Sequence, residues 1–288
     1  MRIRKIDLHM HSTVSDGTDT PEEILTKVKA AGIDLFALSD HDAIKGFGMI
    51  RAALKPGDPR LLSGAEFSCR DEEGKYHILG YGYDPDALPI QHLVETGHSY
   101  RVTKVTARLS FLEQEYGFIF PEVEVQALMA LDNPGKPHIG NLMVKYGYAE
   151  TKEDAIRNYI NKMHTPSQYL RPEEAIRGIL EGGGIPVLAH PAYGSGEERI
   201  LGADMDHRLR RLIAYGLRGV EAFYSGFPPR LRAETLAFAL KYKLLVTAGS
   251  DYHGRNKLIT LGDTGLQHLP AFPPALERFL KEVEDRII

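Results

Sequence analysis

The chain has 288 residues, 43% hydrophobic and 26% charged, a composition that suits a soluble protein of one large α/β domain or two smaller ones. Its single cysteine, Cys69, excludes internal disulfides and thiolate metal sites. A formal net charge of -4 provides no overall attraction for nucleic acid, so phosphate recognition has to be local and no large nucleic-acid surface is expected.

The N-terminus runs from Met1-Arg2-Ile3-Arg4-Lys5 into Asp7 and His9 where a secretory signal needs an apolar stretch, and no window of eighteen apolar residues follows. The expectation is a cytoplasmic protein without a membrane span. Residues 4–9 read as a strand. Thr20-Pro21-Glu22-Glu23 then combines an N-cap, a Pro at the first helical position and a Glu at N3, so a helix starts there and ends near Gly32. A buried strand over 33–38, a helix over 43–54 and a strand over 61–67 come next. The turn Asp71-Glu72-Glu73-Gly74 returns the chain as a hairpin partner over 76–83.

From about Leu88 the pattern becomes helical, with helices expected over 88–116, 122–131, 138–146 and 152–163. After Arg171 the alternation resumes. Strands at 185–189, 219–223 and 244–248 alternate with helices at 172–180, 205–215 and 229–242, a spacing that implies parallel β-α crossovers. The predicted fold is α/β: a barrel of about seven strands formed by residues 1–98 and 172–288, interrupted by a helical insertion over 99–171.

In a parallel barrel the chemistry sits where strands end, and histidines and carboxylates collect there. The first strand ends Asp7-Leu8-His9-Met10-His11-Ser12, and strand alternation points His9 and His11 to one side. Ser39-Asp40-His41-Asp42, Gly64-Ala65-Glu66, Ala189-His190-Pro191 and Gly249-Ser250-Asp251-Tyr252-His253 close other strands, with His77 on the hairpin partner and Asp16 in the first loop. One HxH or one Asp-His pair is weak by itself, because each occurs by chance or as a structural hydrogen bond. Such residues at five strand ends of one barrel point to metal. Imidazoles and carboxylates without sulfur suit Mn²⁺, Zn²⁺ or Fe²⁺, and nine of them exceed what one ion needs, so two or three ions are expected, with a carboxylate such as Glu66 able to bridge.

These motifs, in order and over nearly the whole chain, resemble those of the PHP (polymerase and histidinol phosphatase) family, and most of all its stand-alone phosphoesterases acting on nucleotides, the branch of 3',5'-nucleoside bisphosphate phosphatase and the related 5'-to-3' exoribonuclease. The resemblance implies a distorted (β/α)7 TIM-like barrel with a helical insertion. It also implies a partition of ligands: His9, His11, Glu66 and Asp251 on one ion, Glu66 with His77 and His190 on a second, and Asp16, His41 and His253 on a third, Mn²⁺ foremost. Ser39 stands where the family usually has Thr, and Asp16 where several members have His, which leaves the third ion least defined.

The implied reaction is hydrolysis of a nucleotide phosphate monoester by a metal-bound hydroxide, with no protein nucleophile. The expected substrate is a 3',5'-nucleoside bisphosphate or the 5' end of a short RNA, and the expected assembly a monomer or small homo-oligomer. Cys69 lies near Glu66 but has no activating base and reads as a small buried residue. His138 in Gly135-Lys136-Pro137-His138-Ile139-Gly140 opens a predicted helix of the insertion, where free N–H groups suit an anion; Lys136 stands beside it, although a surface capping loop is the alternative. Arg171 and Ser12 are further phosphate-binding candidates. Asp40 and Asp42 are candidates to orient ligand histidines, or in Asp42 to cap the next helix. His92, His98, His164, His207 and His268 read as surface or packing residues. Three other functions share parts of the ligand set: a histidinol phosphate phosphatase, a metal-dependent amidohydrolase and a non-catalytic PHP module.

Overall fold

A computed structural model describes residues 3–163, 168–193 and 199–288. Two compact units separate within the chain, one of Met1–Val94 with Leu170–Ile288 and one of Glu95–Tyr169. His164 lies outside the described residues.

The first unit opens with β1 (Ile6–Asp7), α1 (Pro21–Ala30), β2 (Leu35–Phe36), α2 (Lys45–Ala53), β3 (Arg60–Leu61), β4 (Gly64–Asp71) and β5 (Gly74–Tyr81). α1 starts as its sequence demands: Thr20 accepts from the Glu23 N–H at 3.2 Å, and the Glu23 carboxylate accepts from the Thr20 N–H at 2.8 Å. The long α3 (Leu88–Tyr116) follows, then α4 (Glu122–Met129), α5 (Lys136–Lys145) and α6 (Lys152–Asn158). α7 (Pro172–Glu181), β6 (Ile185–Leu188), α8 (Gly202–Tyr215), β7 (Gly219–Tyr224), α9 (Pro229–Lys241), β8 (Leu245–Gly249) and α10 (Pro274–Glu282) complete the chain.

The fold is α/β. Among the described residues eight strands form two sheets, β1-β2-β3 and β4-β5-β6-β7-β8, rather than one continuous ladder of about seven. β1, β2 and β3 pair in parallel over two residues each, because the chain leaves the ladder early and side chains take over as partners. Ser39 Oγ accepts from the Met10 N–H at 3.1 Å, and the Asp40 carboxylate from the Ser12 N–H at 2.7 Å. Two hydrogen-bonded seams run beside the ladders. Leu8 N–H donates to the Ala248 carbonyl at 3.0 Å and Asp251 N–H to the His9 carbonyl at 2.7 Å; Glu66 N–H donates to the Asp40 carbonyl at 3.2 Å.

β5 is antiparallel to both β4 and β6, whereas β6, β7 and β8 are parallel. His77 lies in the first half of β5, whose antiparallel course sets it beside Ala189, just past the end of β6. The Ala189 N–H donates to the His77 carbonyl at 3.0 Å, while Glu66 sits near the start of β4. The predicted single strand over 61–67 is two: β3 pairs with β2, and β4 with β5. The predicted helix over 152–163 stops at Asn158, where Tyr159 leaves helical geometry, and a short 3-10 turn follows over Ile160–Lys162.

The Glu95–Tyr169 unit is helical throughout its described regular structure. Val105, Leu112, Ile139, Met143 and Ile160 are buried together, with Phe118 stacked on Tyr148 at 4.4 Å between ring centroids.

α10 has no counterpart in the sequence-based prediction, yet Leu276, Phe279 and Val283 repeat at helical spacing and are fully buried. Phe279 meets Tyr81 edge-on at 5.7 Å, and the Tyr81 hydroxyl donates to the Leu8 carbonyl at 2.8 Å, directly behind His9. Phe279→Ala is expected to cost about 3–5 kcal/mol of unfolding free energy in urea denaturation, the usual loss for a buried aromatic ring.

Candidate metal centre

Asp7 anchors the first strand end. Its carboxylate accepts from the Ser250 N–H at 2.9 Å, the Ser250 hydroxyl at 2.6 Å and the Gly262 N–H at 2.7 Å, fastening β1 to the segment that carries Asp251 and His253. Burial pushes its pKa up to about 6 against the pull of those donors.

The structure brings the nine sequence-predicted histidines and carboxylates together. Glu66 is at the centre: Oε2 lies 3.2 Å from His9 Nε2, His11 Nε2 and His41 Nδ1, while Oε1 lies 2.9 Å from His77 Nδ1 and 3.2 Å from His190 Nε2. Asp251 Oδ1 is 3.6 Å from His9 Nε2 and 3.4 Å from His11 Nε2, and these two nitrogens are 3.1 Å apart. Asp16 lies 3.2 Å from His253 Nε2, 3.8 Å from His11 Nδ1 and 4.0 Å from His41 Nε2.

Three groups have ligand atoms all within 4.8 Å of one another: His9, His11 and Asp251; His41, Glu66 and His77; and His11, Asp16, His41 and His253. His11 and His41 each belong to two, so they link sites that the family pattern keeps separate, and His190 meets Glu66 without entering any of the three.

These donors fit divalent metal. Four atoms about 2.1 Å from one ion in tetrahedral array are about 3.4 Å from each other. His9 Nε2 and His11 Nε2 are 3.1 Å apart, and each lies 3.2 Å from Glu66 Oε2 and 3.6 or 3.4 Å from Asp251 Oδ1. Three buried or half-buried carboxylates aimed at imidazoles, with no sulfur, form a hard and borderline set that suits such ions.

A second layer holds the ligands, and sequence reasoning missed most of it. The Glu221 carboxylate, buried in β7, meets His9 Nδ1 at 2.9 Å through one oxygen and accepts from the His190 N–H at 2.9 Å through the other. Its signal was a lone acid in the apolar run Gly219-Val220-Glu221-Ala222-Phe223. Tyr224 and Lys257 donate to Asp251 Oδ2 at 2.9 and 2.6 Å, leaving Oδ1 for the histidines. Asp40 acts as expected on His11, through Ser15, whose hydroxyl lies 2.6 Å from Asp40 and 3.4 Å from His11 Nδ1. The Asp42 carboxylate accepts from the Ser68 N–H at 2.9 Å, and the N-cap residue of α2 is Ile44.

The candidate phosphate contacts fare differently. Ser12 is fully buried and gives its hydroxyl to Asp40 at 2.8 Å, so it braces the first loop. Arg171 pairs with Glu72 at 3.1 Å and Glu173 at 3.2 Å, and a phosphate reaching it would have to displace both. α5 begins at Lys136, which places His138 at its third position, and Lys136 Nζ donates to Asn161 at 2.5 Å. Cys69 is buried, and burial pushes its thiol well above the ordinary range, as suits an inert residue.

Burial pushes the Glu66 and Asp251 carboxyls up, but His77 and His9 around Glu66, and His9 and Lys257 beside Asp251, hold both well below the usual carboxylate range. Burial lowers His11, yet Asp251 and Glu66 outweigh it and raise its pKa to about 9. Burial and neighbouring imidazoles lower His41 and His253.

A family model described as the PHP domain matches residues 7–166, more than half of the chain. The chain belongs to the PHP domain family. Among sequence relatives, the phosphoribosyl 1,2-cyclic phosphate 1,2-diphosphodiesterase of Eggerthella lenta is 29% identical, over 86% of this chain and 94% of that protein. The 3',5'-nucleoside bisphosphate phosphatase of Chromobacterium violaceum is 26% identical over 98% of both chains. A solved structure from Bifidobacterium adolescentis, provisionally described as a metal-dependent phosphoesterase, superposes with a TM-score of 0.80 at 29% identity, covering 96% of each chain.

A metal entering this centre competes with the proton that His11 holds up to a pKa of about 9, so the sign of the pH dependence follows. Apparent Mn²⁺ affinity is expected to rise between pH 6 and pH 9 with protons released on binding, by titration calorimetry in buffers of different ionisation enthalpy. Binding indifferent to pH and buffer would contradict the arrangement.

Proposed function

We propose that this PHP protein is a metal-dependent phosphoesterase acting on a nucleotide, with the 3'-phosphate of a 3',5'-nucleoside bisphosphate as first substrate and short RNA, taken from its 5' end, as second. The observation that carries the reading is the convergence of Glu66 with eight other imidazole and carboxylate residues at separations that suit divalent ions. The activities named for the two sequence relatives, both on phosphate esters, support it. The diphosphodiesterase relative adds a cyclic phosphodiester to the substrates worth assaying.

In this reading the two sheets and their seams form a distorted (β/α)7 barrel, and the insertion over 99–171 contributes substrate choice. His9, His11, Glu66 and Asp251 would hold one ion, Glu66, His77 and His190 a second, and Asp16, His41 and His253 a third, with Mn²⁺ the best match to the donor set. Such ions supply water of lowered pKa and positive charge against phosphoryl oxygens and the leaving group.

The chain's own work is to orient the donors. Glu221 keeps the proton of His9 on Nδ1, which turns the Nε2 lone pair inward. It also fixes the backbone of His190, so one carboxylate positions ligands from two strands. Tyr224 and Lys257 occupy one oxygen of Asp251 and aim the other. No serine, cysteine or threonine is called on as nucleophile.

Chelation is expected to abolish hydrolysis of 3',5'-bisphosphates and Mn²⁺ to restore it. Glu66→Gln removes negative charge between two clusters of imidazoles and should lower turnover by a factor on the order of 10³ with loss of bound metal, measured by steady-state assay and elemental analysis. Retention of both rate and metal would refute the central role of Glu66.

His138 and Lys136, at the start of α5 in the second unit, are assigned to the phosphate that is not hydrolysed. His138→Ala should raise KM for a 3',5'-bisphosphate about tenfold, roughly one hydrogen bond to a charged group, without changing metal content. A matching rise for p-nitrophenyl phosphate would count against this assignment.

A further inference from the structure

Several helices of this chain end on glycine. Gly32, Gly117, Gly147 and Gly183 follow α1, α3, α5 and α7 at φ between 63° and 77°, the left-handed conformation that closes a helix without crowding a Cβ. α9 closes with the same pattern: Lys243 N–H donates to the Leu240 carbonyl at 3.3 Å and Leu244 N–H to the Ala239 carbonyl at 2.9 Å. The residue in the glycine position is Lys243, at φ 54°. Among the described residues, the other non-glycine residues with positive φ are His190 and Asp251, both candidate metal ligands, and Asp42, which follows one. Lys243 alone stands apart from the metal centre, so its strained place asks for a reason of its own.

A cavity of about 400 Å³ opens beside Lys243, between α9, the start of β8 and α10. That is the size of a small-molecule site. Its wall is apolar, with Leu236, Ala239, Val246 and Ala275, and with Leu240, which is 82% exposed. Lys243 and Arg278 complete it, and no carboxylate among the described residues lines it or pairs with either cation. Arg278 Nη2 donates to the Leu244 carbonyl at 3.3 Å, which tethers the guanidinium there and leaves further N–H groups for an acceptor. β8 has this cavity at its start and Asp251 and His253 past its end, about 15 Å away at about 3.3 Å per residue, so the two sites are separate.

An apolar wall with charge of one sign is complementary to a molecule with an apolar body and a head of the opposite sign. A guanidinium and an ammonium suit a carboxylate head. We propose that this cavity binds a small amphipathic carboxylate, its apolar chain against Leu236 and Val246 and its head on Arg278 and Lys243. The site goes beyond the phosphoesterase reading and does not depend on it.

The test is titration calorimetry on the full-length, Mn²⁺-loaded protein with hexanoate, octanoate, 1-octanol and octylammonium, and with acetate to account for carboxylate on the metals. Octanoate should bind tighter than hexanoate by about fourfold for each added methylene, and at least about tenfold tighter than the alcohol or the amine. Arg278→Gln should weaken octanoate about tenfold. Lys243→Gly should also weaken it several-fold, yet melt at or above the wild-type temperature without ligand, because glycine takes the left-handed conformation freely.

Equal binding of octanoate and octanol would overturn the proposal and leave an unselective apolar groove. Octanoate affinity unchanged in both variants would overturn it too. A lower melting temperature for Lys243→Gly with normal octanoate binding would make Lys243 a structural cap. Binding of acetyl-Ala-Ala-Leu, through its C-terminal carboxylate, where octanoate fails to bind would turn the cavity into a peptide-docking site and refute the small-molecule assignment.

Discussion

A single buried carboxylate, Glu66, faces five imidazoles, three through one oxygen and two through the other. Bringing so many donors to contact distance is unfavourable without cations between them, because each gives up water and competes for the same protons. The surrounding backbone shows how firmly they are held. His190 and Asp251 adopt φ of 25° and 58°, a region that side chains other than glycine seldom occupy at a cost of about 1–3 kcal/mol each. Gly249 has no room for a Cβ, which would fall 2.1 Å from the Cβ of His9 and 2.6 Å from Glu221. Strain and close approach occur where the last strand delivers its ligands.

The second layer explains how separate elements act as one site. Asp7 joins β1 to the segment after β8, Glu221 joins His9 to His190 from β7, and Asp40 reaches His11 through Ser15. Asp7 and Glu221 are buried acids that spend their acceptors on donors from two places in the chain, whereas Asp40 gathers Ser12 and Ser15 of the first loop. Buried carboxylates of this kind contribute little net stability, but leaving one partner exposed to none is expensive, so they fix geometry.

The first layer was legible in the sequence for local reasons. Alternation along a strand puts His9 and His11 on one side, and a ligand type shows in a residue's name. Glu221, Tyr224 and Lys257 were not legible, because a carboxylate, phenol or ammonium becomes a positioning group only through what folding brings to it. The two-sheet arrangement was hidden for a similar reason, since Ser39 and Asp40 side chains substitute for ladder partners that an apolar pattern cannot reveal. α10 carried the spacing of Leu276, Phe279 and Val283 plainly, but in a stretch without a following strand to set the α/β rhythm.

The most direct test is anomalous diffraction at the manganese edge from crystals of the Mn²⁺-loaded protein. The account predicts two or three peaks, one within ligand distance of His9, His11, Glu66 and Asp251, and another on the opposite oxygen of Glu66 with His77 and His190. Peaks confined to other parts of the chain, or none at Glu66 under saturating Mn²⁺, would contradict it.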